Sequence, residues 1–158
     1  METEEKKKKR LSTSKFLSRI RALKNPDDVL SLVQEEGEPN FSMVLYKLME
    51  DHKLTPKDMI KKSQIERSYF YHILSGKKKN PSRNMVLRIG ICAGAGIQDM
   101  NRLLRLSGSA SLYPRIRRDA LLIHSIDKKL DMEQTNLLLL KNGEIPLYRD
   151  EKHGQTQP

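Results

Sequence analysis

Residues 54–84 read "LTPKDMIKKSQIERSYFYHILSGKKKNPSRN". Thr55 offers a hydroxyl that can accept from the first turn of a helix, Pro56 fits the first helical position because its missing N–H is not needed there, and Asp58 lies three residues after the cap. The spacing therefore predicts a short helix from Pro56 that buries Met59 and Ile60. After "SQI" the pattern predicts a second short helix that turns Phe70, Ile73 and Leu74 inward and stops at Gly76, a residue free to take the left-handed conformation. Lys77, Lys78 and Lys79 follow at once. Pro81 punctuates the run, and Ser82 is placed to cap the next helix. The stretch thus reads as two short helices, a tight turn between them, and a cationic loop behind the second.

Outward from this centre the apolar spacing stays helical. Phe41, Val44, Leu45, Leu48 and Met49 fall at i, i+3, i+4, i+7 and i+8, which predicts a helix before the quoted stretch. A fourth helix is expected from Ser82 to about Ala93 with Val86, Leu87, Ile89 and Ile91 available for burial, and a fifth from Ile97 to about Leu106, closing at Gly108. No segment shows strand alternation bounded by hairpin turns, so the predicted class is all-α.

Sliding the chain against itself by 35 residues reveals a second feature. Residues 82–113 match 117–148 at nine of 32 positions, among them Arg83/Arg118, Asn101/Asn136, Gly108/Gly143, Leu112/Leu147 and Tyr113/Tyr148. This predicts two helical hairpins in tandem, the later one carrying Asp131 and Gln134 as a cap pair. Two copies are too few for a free-standing solenoid, so the second is expected to stack on the first or to pair with its counterpart in another chain. The organisation read from the chain is a loosely structured segment over 1–40, a five-helix unit over 41–113, a helical hairpin over 114–148 and a tail over 149–158. Within the first segment Phe16, Ile20 and Leu23 recur at helical spacing, "NPDDVLSLV" offers a capped start, and "EEGEPN" reads as a linker. Lys6 to Arg10 reads as a solvated tail, or as an arm able to follow a phosphate backbone.

The formal net charge is +10 over 158 residues. Its distribution is uneven: 41–113 holds 13 Lys/Arg against 5 Asp/Glu, whereas 1–40 holds 9 against 8 and 114–158 holds 8 against 7. The excess sits in the segment containing the quoted stretch, the footprint expected of a unit that meets a polyanion. A single cysteine, Cys92, cannot form an internal disulfide, which suits a reducing cytosol. No apolar run is long enough to cross a membrane, and no signal-peptide core follows the basic start. A soluble, cytoplasmic protein with no membrane partner is expected.

Catalytic and metal chemistry find little to stand on. The four histidines, at 52, 72, 124 and 153, are scattered, and Cys92 has no partner at metal-ligand spacing. "GICAGAG" at 90–96 lacks both the preceding strand and the following Gly-Lys-Ser/Thr of a phosphate-cradling loop, so it is read as the end of one helix and a close-packing element for the next. No nucleophile, base and orienting residue assemble. The expectation is a non-enzyme with no metal and no cofactor.

In the arrangement of its central helices and in "LTPKDMIKKSQIERSYFYHILSGKKKNPS" the chain resembles the Xre family of helix-turn-helix regulators, the lambda-repressor and Cro-like proteins, over roughly residues 41–108. The resemblance implies a five-helix lambda-repressor-like domain, here followed by the additional hairpin, whose third helix lies in the major groove of double-stranded DNA. It further implies that Arg67, Ser68 and His72 reach base edges, that Tyr71, with Tyr69 beside it, contacts sugar or phosphate, and that Lys77, Lys78, Lys79 and Arg83 meet the backbone. The division suits the side chains: lysines make point-charge contacts to phosphate, and an arginine early in a groove helix can bond a guanine with both prongs. Five positions depart from the family pattern. Pro56 replaces a phosphate-contacting Gln, Ile60 a small residue, Gln64 the turn glycine, Glu66 the usual Ser or Thr, with loss of the N-cap and a negative charge near phosphate expected, and Leu74 an acidic residue. The implied function is a nucleoid-associated, sequence-specific transcriptional regulator, dimerising through its C-terminal hairpin on half-sites about 34–36 Å apart. A protein-interaction or antitoxin-like adaptor that keeps the fold is the alternative motivated by Pro56, Gln64 and Glu66, and weak architectural binding to any nucleic acid is a third.

Overall fold

The computed structural model describes residues 11–148, and among these it contains nine α-helices and no strand. The described residues divide between Pro39 and Asn40 into two compact units. The Lys6–Arg10 run and the tail from residue 149 lie outside the described residues.

The first unit holds α1 (Thr13–Ala22) and α2 (Pro26–Glu36). Ser12 caps α1 through the Lys15 N–H, and Asn25 caps α2 through the Asp27 N–H with Pro26 at the first position. Arg19 and Glu36 join the two helices through a 3.1 Å ion pair.

The second unit contains α3 (Phe41–Asp51), α4 (Pro56–Ser63), α5 (Arg67–Leu74), α6 (Arg83–Cys92), α7 (Ile97–Leu106), α8 (Arg117–Asp127) and α9 (Met132–Lys141). The apolar stripe of α3 is buried throughout, and Met59, Phe70, Ile73, Val86, Leu87, Ile89, Met100, Leu103 and Leu104 complete a core from which water is excluded. Each such side chain contributes about 1.5–3 kcal/mol through burial, which is what holds helices this short in place. Leu122, Ile126, Leu139 and Leu147 of the trailing hairpin belong to the same buried cluster. Stacking on the first hairpin, one of the two arrangements expected, is therefore present: α8 packs on α7 and α9 on α6.

The tandem repeat is visible in hydrogen bonds as well as in helices. Asn101 Oδ1 accepts the Leu112 N–H at 2.8 Å, and Asn136 Oδ1 accepts the Leu147 N–H at 2.6 Å. Arg83 Nε donates to the Ala110 carbonyl at 3.2 Å, and Arg118 Nε to the Ile145 carbonyl at 3.1 Å. Gly108 and Gly143 both take positive φ after the second helix of their copy, at 82° and 74°. The matched residues are thus a latch: an asparagine and an arginine on the two helices of each hairpin hold the segment leading to the Leu-Tyr pair that closes it. The glycine-rich stretch has the packing role expected of it. A Cβ on Gly90 would collide with the thioether of Met100 on α7, and Gly94 (φ 76°) leaves room for the ring of His52.

Candidate nucleic-acid interface

The site begins with the way α4 ends. Gln64 takes the left-handed conformation (φ 57°, ψ 26°) and its N–H closes on the Ile60 carbonyl. The chain then turns through buried Ile65 to Glu66. For a non-glycine residue this geometry costs about 1–2 kcal/mol, and hydrogen bonds at both ends hold the helix that leads into it. Thr55 and Asp58 form both bonds of the capping box at the other end of α4. Arg88, fully buried in α6, donates from Nε (3.2 Å) and Nη2 to the carbonyl of Ser63, an acceptor the end of α4 would otherwise leave unmatched. A lone arginine inside the apolar run "MVLRIGI" is the sequence signal for this contact.

Glu66 corrects a sequence expectation. It stands where the family pattern has Ser or Thr, and a lost cap is expected from the replacement. Instead its carboxylate accepts the Ser68 N–H at 3.0 Å and the Tyr69 N–H at 2.9 Å, capping α5 with both oxygens. Those two backbone N–H groups hold its carboxyl below the usual range.

From that cap α5 runs for eight residues with two distinct faces. Phe70, Ile73 and Leu74 point into the core. Tyr69 packs partly against it, and burial pushes its phenol up. Arg67, Ser68, Tyr71 and His72 form one exposed stripe at i, i+1, i+4 and i+5. The Arg67 guanidinium lies 5.6 Å from the centroid of the Tyr71 ring, and the Phe70 ring meets Tyr71 edge-on. Tyr71 is thereby braced while remaining 40% exposed.

The cationic loop is tied down at both ends. Gly76 is left-handed (φ 83°), and the Lys78 N–H donates to the His72 carbonyl at 2.8 Å. Pro81 is buried. Ser42 on α3 donates to the Ile73 carbonyl, fixing the end of α5 against the preceding helix. Lys77, Lys78 and Lys79 are all exposed.

Arg83 goes elsewhere. Its guanidinium meets Asp119 of α8 with both Nη atoms (3.0 and 2.9 Å) and also bonds the carbonyls of Ala110 and Ser111. Asp119 additionally accepts the Tyr113 N–H at 3.0 Å. Burial alone would raise the Asp119 carboxyl; the Arg83 hydrogen bonds, the Tyr113 N–H and the charges of Arg83 and Arg118 outweigh it and leave it below the ordinary value. Arg83 is thus a brace between the two hairpins. Cys92 is buried, and that burial pushes its thiol up to about 12, so it is an inert packing residue. Among the described residues no group of three or more His, Cys, Asp or Glu is arranged to hold a metal ion, and no helix is long and apolar enough to cross a membrane.

Comparison with protein-family models, with curated proteins and with solved structures finds no match for this chain. The class the fold defines is an all-α, multi-helix protein.

Proposed function

We propose that this chain is a sequence-specific DNA-binding transcriptional regulator, built on a lambda-repressor-like helix-turn-helix unit with α5 in the major groove. The observation that carries the reading is the coincidence of three features on one surface: the exposed Arg67, Ser68, Tyr71, His72 stripe, the Lys77–Lys79 loop directly behind it, and the chain segment that holds nearly all the excess positive charge. Arg67 is the residue for bidentate reading of a guanine, worth about 1–3 kcal/mol of discrimination. Ser68 and His72 would touch neighbouring base edges, Tyr71 a sugar or phosphate, and the lysines the backbone. Arg83, engaged by Asp119, is not assigned to phosphate. The unit works without a cofactor or metal and catalyses nothing; its setting is the cytoplasm, at the nucleoid.

Glu66 favours a second reading. Its carboxylate occupies two N–H groups at the start of α5, where a phosphate would otherwise be welcomed, and brings negative charge to the same place. An adaptor that uses the fold to hold another protein fits that arrangement. Selection of bound duplexes from a random pool separates the two. A regulator enriches one consensus whose guanine contact is lost in Arg67→Ala. An adaptor enriches none and instead draws a stoichiometric protein from cells, while binding of all sequences alike would mark an architectural role.

A further inference from the structure

The outer face of α9 is apolar where the corresponding face of the first hairpin is not. Leu137, Leu140 and Ile145 stand at the repeat positions held by Arg102, Arg105 and Ala110. Leu137 and Leu140 are 50% and 42% exposed. They lie on one side of α9 together with Glu133 and Lys141, both exposed, since 133, 137, 140 and 141 share a face at 3.6 residues per turn.

The charges on this face say what does cover it. Glu133 and Lys141 flank Leu137 at equal distance, four residues on either side. Two α9 helices laid antiparallel about a two-fold axis through Leu137 therefore set each Glu133 level with the other chain's Lys141, with Leu137 on Leu137 between them and each Leu140 beside the other chain's Gln134. A parallel arrangement would instead oppose like charges at both ends. We infer that the face formed by Glu133, Leu137, Leu140 and Lys141 is the contact surface for a second copy of this chain, in an isologous, antiparallel α9–α9 dimer. The inference stands on α9 alone and holds whether or not α5 binds DNA.

The test uses the full chain and sedimentation equilibrium, with circular dichroism melts as a check that each variant folds. The wild type sediments as a dimer. Leu137→Arg restores at this position the residue type of the first copy and sediments as a monomer with an unchanged melt. Glu133→Lys and Lys141→Glu each place like charges in both contacts and weaken dimerisation about tenfold. Mixing the Glu133→Lys protein with the Lys141→Glu protein makes both contacts attractive again and restores wild-type affinity in a heterodimer, a result no effect internal to one chain can imitate. A monomeric wild type overturns the inference, as do dimers that persist in folded Leu137→Arg, single variants that do not complement each other on mixing, or growth beyond the dimer with concentration.

Discussion

The two hairpins, α6–α7 and α8–α9, are built on the same plan and differ in what they carry. Both close their Leu-Tyr segment with an Asn and an Arg, and both turn at a left-handed glycine after their second helix. What differs lies off this latch. The first hairpin carries Arg88, which holds the end of α4 and so the approach to α5; the second has Ile123 at that position. The second carries Asp119, which receives Arg83 and locks the copies together; the first has Asn84 there. Repetition has preserved the hydrogen bonds that close a hairpin, and left the remaining positions free to serve a neighbour.

The comparison can be broken most forcefully in the core. Leu104 and Leu139 are equivalent and both fully buried, so Leu104→Ala and Leu139→Ala should each cost about 2–5 kcal/mol in urea unfolding. Both should act on one cooperative transition, because the two hairpins share one core. A separate, earlier transition in Leu139→Ala would make the second hairpin an appendage.

The latch gives the next largest effect. Asn136→Ala leaves the buried Leu147 N–H without its acceptor and should cost about 1–3 kcal/mol. Asn101→Ala should cost less, because Asn101 is only half-buried and water can replace it. Equal costs would mean that the burial difference is irrelevant.

The link between copies has a pH signature. Asp119→Asn should destabilise the protein by about 1–3 kcal/mol at neutral pH through loss of a charged, two-pronged hydrogen bond to Arg83. Because the folded-state carboxyl lies below its ordinary value of 3.8, its contribution is fully present above that value and is lost as pH falls through the lower folded-state pKa. Unfolding curves of wild type and variant should therefore converge in strong acid; a gap that persists there would assign the effect to packing.

The smallest effect tests the turn. Gln64→Gly relieves a left-handed non-glycine residue (φ 57°), an easing of about 1–2 kcal/mol that is partly offset by the greater freedom of glycine in the unfolded chain, about 0.4–1 kcal/mol. A net stabilisation of about 0.5 kcal/mol in urea unfolding is expected, and destabilisation would mean that the Gln64 side chain contributes a contact of its own.

Much of this architecture was legible in the sequence because it rests on local signals. Caps at Thr55, Ser82 and Asp131, apolar spacing from Phe41 to Met49, and terminators at Gly76 and Gly108 act within one or two turns of helix, so the sequence around each is enough. The pairings that cross the fold were not legible. Arg83 looks like any other cation beside a lysine run, and only the stacking of α8 brings Asp119, 36 residues away, within reach of it. Glu66 was misread for a different reason: a carboxylate on a longer side chain can still fold back on the Ser68 and Tyr69 N–H groups, a conformation that residue type alone does not dictate. On α5 the two tyrosines, given one role by the resemblance, differ in the fold: the direction in which the turn after Gln64 launches the helix sets Tyr69 against the core and Tyr71 outward.

The central claim, that α5 and the lysine loop form a surface for duplex DNA, is tested most directly by titrating a selected duplex at several salt concentrations. Binding should weaken steeply as salt rises, and Lys77→Ala, Lys78→Ala and Lys79→Ala combined should lower the slope of log affinity against log salt by about 0.9 for each phosphate contact removed. The three reversals to Glu should abolish binding while leaving the fold intact. Affinity that ignores salt, or that survives the charge reversals, would contradict the account.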